Sequence, residues 1–296
     1  MTVRTTEALH DQASGLDSRP PGEAASILVS SQIEAANAVR SALPDITAGA
    51  MAMAKTLRNG GCLHYLAAGS SGLMAAADAL ELVGTFSIKP NSIAIHMAGG
   101  LPTGVGLPGS AEDGAAAAEA AVLDAVATGD LVIAVSASGD TPYTVAGANA
   151  AKQRGAIVVA IVNNGDGPLI DVADHAIVLR TPPEVVSGST RLGAGTSQKI
   201  ALNTLSTLMA IELGHVHDGM MVNLRADNAK LRARAIAIVQ RIAQVGMAEA
   251  ERALQDAEGE VKIAVVMASH GVSADEARDL IGRNDGKLRA ALIGSR

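Results

Sequence analysis

The chain has no tryptophan and only three aromatic residues, Tyr65, Phe86 and Tyr143. Without rings there is no stacking platform for nucleobases, so a ligand must be held mainly by hydrogen bonds and charge. The single cysteine, Cys62, excludes an internal disulfide and a cysteine-rich zinc site. It lies in a strand-like stretch and reads as a small buried hydrophobe. Basic residues are outnumbered, 23 against 30 acidic ones, for a net charge of -7. That balance excludes the concentrated basic face that nucleic-acid binding needs. No apolar run reaches the roughly 18 residues of a membrane span. The segment MTVRTTEALHDQASGLD carries no apolar signal-peptide core, so a cytoplasmic protein without membrane partners is expected.

What is there is ordinary globular material, 48% hydrophobic and 18% charged. Its 296 residues suffice for one large α/β domain with helical additions, or for two modest domains. Apolar runs at Leu63 to Ala67, Ser92 to Met97, Leu131 to Ser136, Ala156 to Val162 and His175 to Leu179 alternate with alanine-rich, helix-like segments. Continuous apolar strands of this kind belong to a parallel sheet covered on both faces, which predicts a doubly wound, five-stranded α/β fold. Residues 22 to 58 predict about two helices joined near Leu43-Pro44, and a long helix is expected after GSTRLGAGTSQK. From Leu224 onward the chain reads as helical, ending in a small lobe in which Ser273 is a candidate N-cap ahead of Asp275 and Glu276.

Two strands break in the same way, LAAGSSGLM at 66–74 and AVSASGDTPY at 134–143. Each passes through serine and glycine into a helix start. In an open parallel sheet ligands sit at the carboxyl ends of strands, where first-turn amides are unpaired and can hold an anion. Ser70, Ser71, Ser136, Ser138 and Thr141 add hydroxyl donors, and Gly72 and Gly139 let the backbone approach closely. A single break would be read as a capped turn; two at corresponding strand ends point to a phosphate site. Neither is a Walker loop or a GxGxxG fingerprint, so the phosphate is expected on a small molecule.

These two loops resemble those of the SIS (sugar isomerase) fold, whose members bind phosphosugars. A more specific likeness follows: GSTRLGAGTSQKIALN at 188–203, MMVNLRADNAKL at 220–231 and SAED at 110–113 resemble bacterial N-acetylmuramic acid 6-phosphate etherases. The likeness runs the length of the chain. It implies an N-terminal helical arm (1–54), an SIS phosphosugar-binding domain (55–218) and a C-terminal helical region (219–296) with a UBA-like lobe at about 260–294. It also implies a homodimer, a lyase without metal or other cofactor, and a small phosphosugar as the ligand. Such enzymes cleave the lactyl ether at C3 to give N-acetylglucosamine 6-phosphate and D-lactate. The open-chain aldehyde loses its C2 proton, lactate leaves, and water adds to the unsaturated intermediate.

By the same resemblance Glu81, in DALELVGTF, occupies the general-acid position, and Glu112, in SAED, that of the second catalytic glutamate. An activated C–H needs a base and a poor leaving group needs an acid, which suits two carboxyls in different environments. From composition alone the preferred readings are Glu81 as a solvated helix residue and Glu112 as an acid favoured at a helix start; the motif resemblance reverses that preference for both, more firmly for Glu112. Glu81 lies nine residues past Gly72, about 13 Å along a continuous helix. Either that helix breaks or Glu81 serves the site of a neighbouring subunit. Glu184, Ser187, Ser189 and Thr190 precede the long helix and are placed to close over the sugar, while Lys199 faces either the sugar or solvent at a helix edge. His215-x-His217-Asp218 reads as a surface loop without metal.

The chain departs from the family pattern where basic residues usually stand: Leu73 and Asp140 replace arginines, and the segment after Glu81 is Leu82-Val83-Gly84-Thr85-Phe86. Two other functions use the same loops. An aldose-ketose isomerase needs one carboxylate to move a proton between C1 and C2, and a phosphosugar-binding regulator needs none. The pair Glu81 and Glu112 favours an enzyme.

Overall fold

The computed structural model describes residues 4–224 and 228–293. The apolar runs form one parallel sheet of β1 (Leu63–Ala67), β2 (Ile93–Met97), β3 (Leu131–Ser136), β4 (Ile157–Val162) and β5 (His175–Val178), in the order β2-β1-β3-β4-β5. Strands β1, β3 and β4 are buried nearly throughout, which is why they lack the alternation of a half-exposed strand. Intervening helices are α1 (Pro21–Ala38), α2 (Leu43–Arg58), α3 (Gly69–Phe86), α4 (Ala115–Ala125), α5 (Pro142–Gln153), α6 (Pro168–Val172) and α7 (Gly193–Glu212).

Side chains of opposite parity feed two layers. Leu66, Val132, Ala134, Val158 and Ala160 pack with Val122 of α4 and with Ala148 and Ala151 of α5. On the other face α2 lies so close that a Cβ on Gly49 would meet Leu205 of α7 at 3.0 Å and Val159 of β4 at 3.4 Å. Alanine-rich helices suit this close layering: they combine high helix propensity with small side chains.

By contacts the chain divides into two compact units, 1–79 with 91–206, and 80–90 with 207–296. The first thus takes in the N-terminal helices together with the sheet. In the second, α8 (Ala229–Ala243), α9 (Met247–Asp256), α10 (Val261–His270), α11 (Ala274–Arg283) and α12 (Leu288–Ile293) enclose a core that includes Ile238, Leu254, Val265 and Leu288. Ser273 caps α11 as its sequence indicates, in a reciprocal capping box with Glu276. Residues 225–227 of the 220–231 motif lie outside the described residues.

Two local readings change. The segment around His217 is a two-stranded hairpin, β6 (Val216–His217) and β7 (Met220–Met221), and His217 is buried. Pairs of two residues are too short to leave a periodic signal. Cys62 is only half-buried, just ahead of β1, where its Sγ lies 3.4 Å from the Asn91 carbonyl. Burial, with a smaller effect from the nearby Asp130 carboxylate, raises its thiol pKa.

Candidate active site

Sheet order makes the site. Strands β1 and β3 are direct neighbours, with Ala67 opposite Val135, and the winding direction changes between them. This is the switch point at which open α/β sheets hold ligands. The two serine-glycine breaks lie on those adjacent strands. The first helical bond of α3 runs from Gly72 N–H to Ala68 O at 2.9 Å, and that of α5 from Val145 N–H to Thr141 O at 3.0 Å. The amides of Gly69, Ser70, Ser71, Tyr143 and Thr144 therefore stand ahead of the helical ladders. Pro142 starts α5 at a position where a missing N–H costs nothing.

The hydroxyls of the second loop converge on Ser136. Its Oγ is 2.8 Å from Thr141 Oγ1 and 3.3 Å from Ser138 Oγ, and it accepts the Gly139 amide at 3.1 Å. The Asp140 amide reaches Ser138 Oγ at 3.3 Å. Ser136 is buried, so its hydroxyl fixes the loop from beneath.

Glu112 joins the first break from a distance of more than forty residues. It sits on a 3-10 turn, Gly109–Asp113, in the connection from β2 to α4, and is half-buried. Its carboxylate lies against Gly69, which opens α3 with φ +55°; a Cβ built on Gly69 would collide with Glu112 Oε1. Any L side chain there meets both left-handed strain and the carboxylate. Glu81 stands apart. Helix α3 is unbroken, so Glu81 lies twelve residues beyond Gly69, roughly 18 Å along the axis, and its side chain is exposed. The first of the two alternatives raised by its spacing, a broken helix, is thereby removed.

Glu184 is buried, and both its oxygens are engaged: Oε2 accepts the Gly193 amide and Oε1 the Ala194 amide, each at 2.9 Å. A carboxylate at a helix N-terminus is stabilised there. Glu184 thus shapes the start of α7. Ser187 is exposed and Ser189 and Thr190 half-buried in the turn leading to α7, where the Ser189 amide bonds Val186 O and the Thr190 amide Gly188 O.

Lys199, exposed, donates from Nζ to Asn203 Oδ1. Asn203 in turn donates to Asp78 Oδ1 at 2.7 Å, and Asp78 also accepts from Tyr65 Oη at 2.8 Å and Ser206 Oγ at 2.9 Å. Burial raises the Asp78 pKa, with the three donors and Lys199 acting against it. Nothing in local sequence marked Asp78, because its partners lie on β1 and α7.

Arg4 was equally invisible. Its guanidinium forms an ion pair with Asp140 and approaches the Ser138 carbonyl at 3.5 Å. Asn164, after β4, accepts from the Thr6 amide at 3.4 Å and donates to Thr6 Oγ1 and to Ser138 O, both at 3.1 Å. The one available signal was an acid inside a loop otherwise suited to an anion.

Residues 110–213 match the SIS domain family. The chain is 40% identical over 291 residues to an N-acetylmuramic acid 6-phosphate etherase of Deinococcus radiodurans, covering 98% of this chain and 95% of that protein. It is likewise 40% identical to one from Streptomyces avermitilis (98% and 94%), and 36% identical to one from Salmonella choleraesuis (97% of each). In fold it is similar to a phosphoheptose isomerase of Francisella tularensis, with a TM-score of 0.52 at 20% identity over 65% of this chain and all of that one.

Proposed function

Since this chain belongs to the N-acetylmuramic acid 6-phosphate etherase family, we propose that its two serine-glycine loops hold the 6-phosphate while Glu112 and Glu81 perform the proton transfers of ether cleavage. The reaction is a carbon-oxygen lysis releasing D-lactate and N-acetylglucosamine 6-phosphate. The observation that carries the reading is the position of Glu112: its carboxylate meets the chain at Gly69, beside one of the two helix starts facing the switch point.

In the proposed mechanism the phosphate accepts hydrogen bonds from the first-turn amides of α3 and α5 and from Ser70, Ser71, Ser138 and Thr141, with Ser136, Gly72 and Gly139 shaping the loops. The Glu112 carboxylate removes the C2 proton of the open-chain aldehyde. The electron pair moves toward the aldehyde oxygen, then returns to form the C2–C3 double bond as the C3–O bond breaks. Glu81, as the general acid, delivers a proton to the departing lactate oxygen, and water adds at C3. Ser187, Ser189, Thr190 and Lys199 contact the sugar, with Glu184 holding the start of their helix in place. These transfers need two carboxyl groups and no metal or redox cofactor.

Twelve residues of unbroken helix between Gly69 and Glu81 favour delivery of Glu81 to the site of a second subunit, in a homodimer. Exposed Val29 and Ile33, one turn apart on α1, and exposed Leu73 on α3 offer apolar surface for such a partner. A cytoplasmic location and the division into arm, sugar-phosphate domain and terminal UBA-like lobe belong to the same proposal. The direct test is incubation of the purified protein with N-acetylmuramic acid 6-phosphate, without added metal, followed by D-lactate measurement. Release of D-lactate with N-acetylglucosamine 6-phosphate is expected, and its absence under conditions where a known etherase turns over refutes the assignment.

A further inference from the structure

A phosphate dianion at the start of α5 would face a problem of the chain's own making. The loop Ser136-Ala137-Ser138-Gly139-Asp140-Thr141 contains no lysine or arginine, and it places a carboxylate two residues before the first residue of the helix. A like charge beside an anion site opposes binding. The side chain of Asp140 is 46% exposed, and its carboxylate is paired with the guanidinium of Arg4, 136 residues earlier.

The placement of Arg4 is built in. Thr6 is buried, and its amide and hydroxyl are both tied to Asn164, which also bonds Ser138 O; the segment is therefore fastened to the loops after β3 and after β4. The Glu7 amide closes a turn onto Arg4 O at 2.9 Å. A Cβ on Gly167 would lie 3.8 Å from Arg4 Nη2, so the guanidinium is seated against backbone on that side. Its planar fork has five donors, more than one carboxylate can use.

We propose that Arg4 is a phosphate-site residue: it cancels the Asp140 charge and supplies, from the N-terminal segment, the cation with which this loop binds a phosphate monoester. Arg4 and Asp140 then act as one unit, the acid holding the guanidinium at the loop and the guanidinium making the loop acceptable to an anion. This deepens the phosphosugar reading and rests on it.

The test is binding by the full chain, measured calorimetrically with N-acetylglucosamine 6-phosphate and with unphosphorylated N-acetylglucosamine, so it does not depend on lactate release. Arg4→Gln should raise Kd for the phosphorylated sugar by about tenfold or more, the scale of one screened charge contact, and leave the unphosphorylated sugar unaffected. Arg4→Lys, which keeps the charge, should lose less. Adding Asp140→Asn to Arg4→Gln should recover a large part of the loss, which a merely structural strap would not do. An Arg4→Gln protein that binds the phosphorylated sugar as wild type does, or weakens equally toward both sugars, or is not improved by Asp140→Asn, overturns the proposal. Failure of wild-type protein to bind the phosphorylated sugar overturns the phosphosugar reading itself, and this inference with it.

Discussion

Changing Gly69 to alanine tests the center of the proposed site with one methyl group. Two effects add. Gly69 has φ +55°, where an L residue costs about 1 to 2 kcal/mol. The new Cβ also claims the space of Glu112 Oε1. The carboxylate must move, and a displacement of about 1 Å in a reacting group can cost on the order of 10²-fold in rate. Complete loss of an acid-base catalyst costs roughly 10² to 10⁴. Gly69→Ala should therefore reduce kcat for D-lactate release by at least about 10²-fold. The accompanying loss of stability should lower Tm by only a few degrees, at about 2 to 4 °C per kcal/mol for domains of this size.

A matched control separates strain from chemistry. Gly60 has φ +82°, also left-handed, and a Cβ there would meet nothing within 4 Å. Gly60→Ala should show a similar fall in Tm and retain its turnover. Coupled detection of D-lactate with thermal melts on both proteins makes the comparison. Near-normal lactate release by Gly69→Ala, or an equal loss in Gly60→Ala, would refute the claim that the contact of Gly69 with Glu112 positions a catalytic group.

Two further outcomes follow from the same geometry. Glu81→Gln should suppress lactate release by about 10² to 10⁴ while leaving some exchange of the C2 hydrogen with heavy water, and Glu112→Gln should suppress both; near-normal lactate release from both folded variants would remove them from the mechanism. At the other end of β1, His64 lies 3.0 Å from His96 Nε2 and 3.2 Å from Asp130 Oδ2, and burial, aided by His64, lowers the His96 pKa from 6.5 to about 4. The folded chain then resists a proton that the unfolded chain accepts, so this contribution to stability is present above pH 6.5 and is lost as pH falls toward 4. His96→Asn should flatten the dependence of urea midpoint on pH between about 5 and 6.5, and an unchanged slope would refute it.

The sequence was legible where structure follows from local pattern. Strands β1 and β3 begin and end at the residues where their apolar runs do, since a strand buried on both faces is built mainly of apolar residues, with buried His64 the exception inside β1. The Ser273 cap was legible for the same reason: its partner is three residues away. Each serine-glycine break could be seen, and their adjacency was an inference from fold class, because β2 intervenes in the chain but not in the sheet.

The contacts that set chemistry have another character. Asp78 meets Asn203 across 125 residues and Arg4 meets Asp140 across 136. Such pairs leave no period or spacing, since the sheet order, rather than the chain, makes them neighbours. Glu184 shows a related limit: the sequence places this acid ahead of the long helix, and only the structure shows that it is buried with an α7 amide on each oxygen. Polarity in a sequence identifies groups that need partners, and burial decides whether the protein already supplies them. The same reasoning changes the meaning of Asp140. Read alone, it removes a positive charge from a phosphate loop; joined to Arg4, it becomes the anchor that keeps one there.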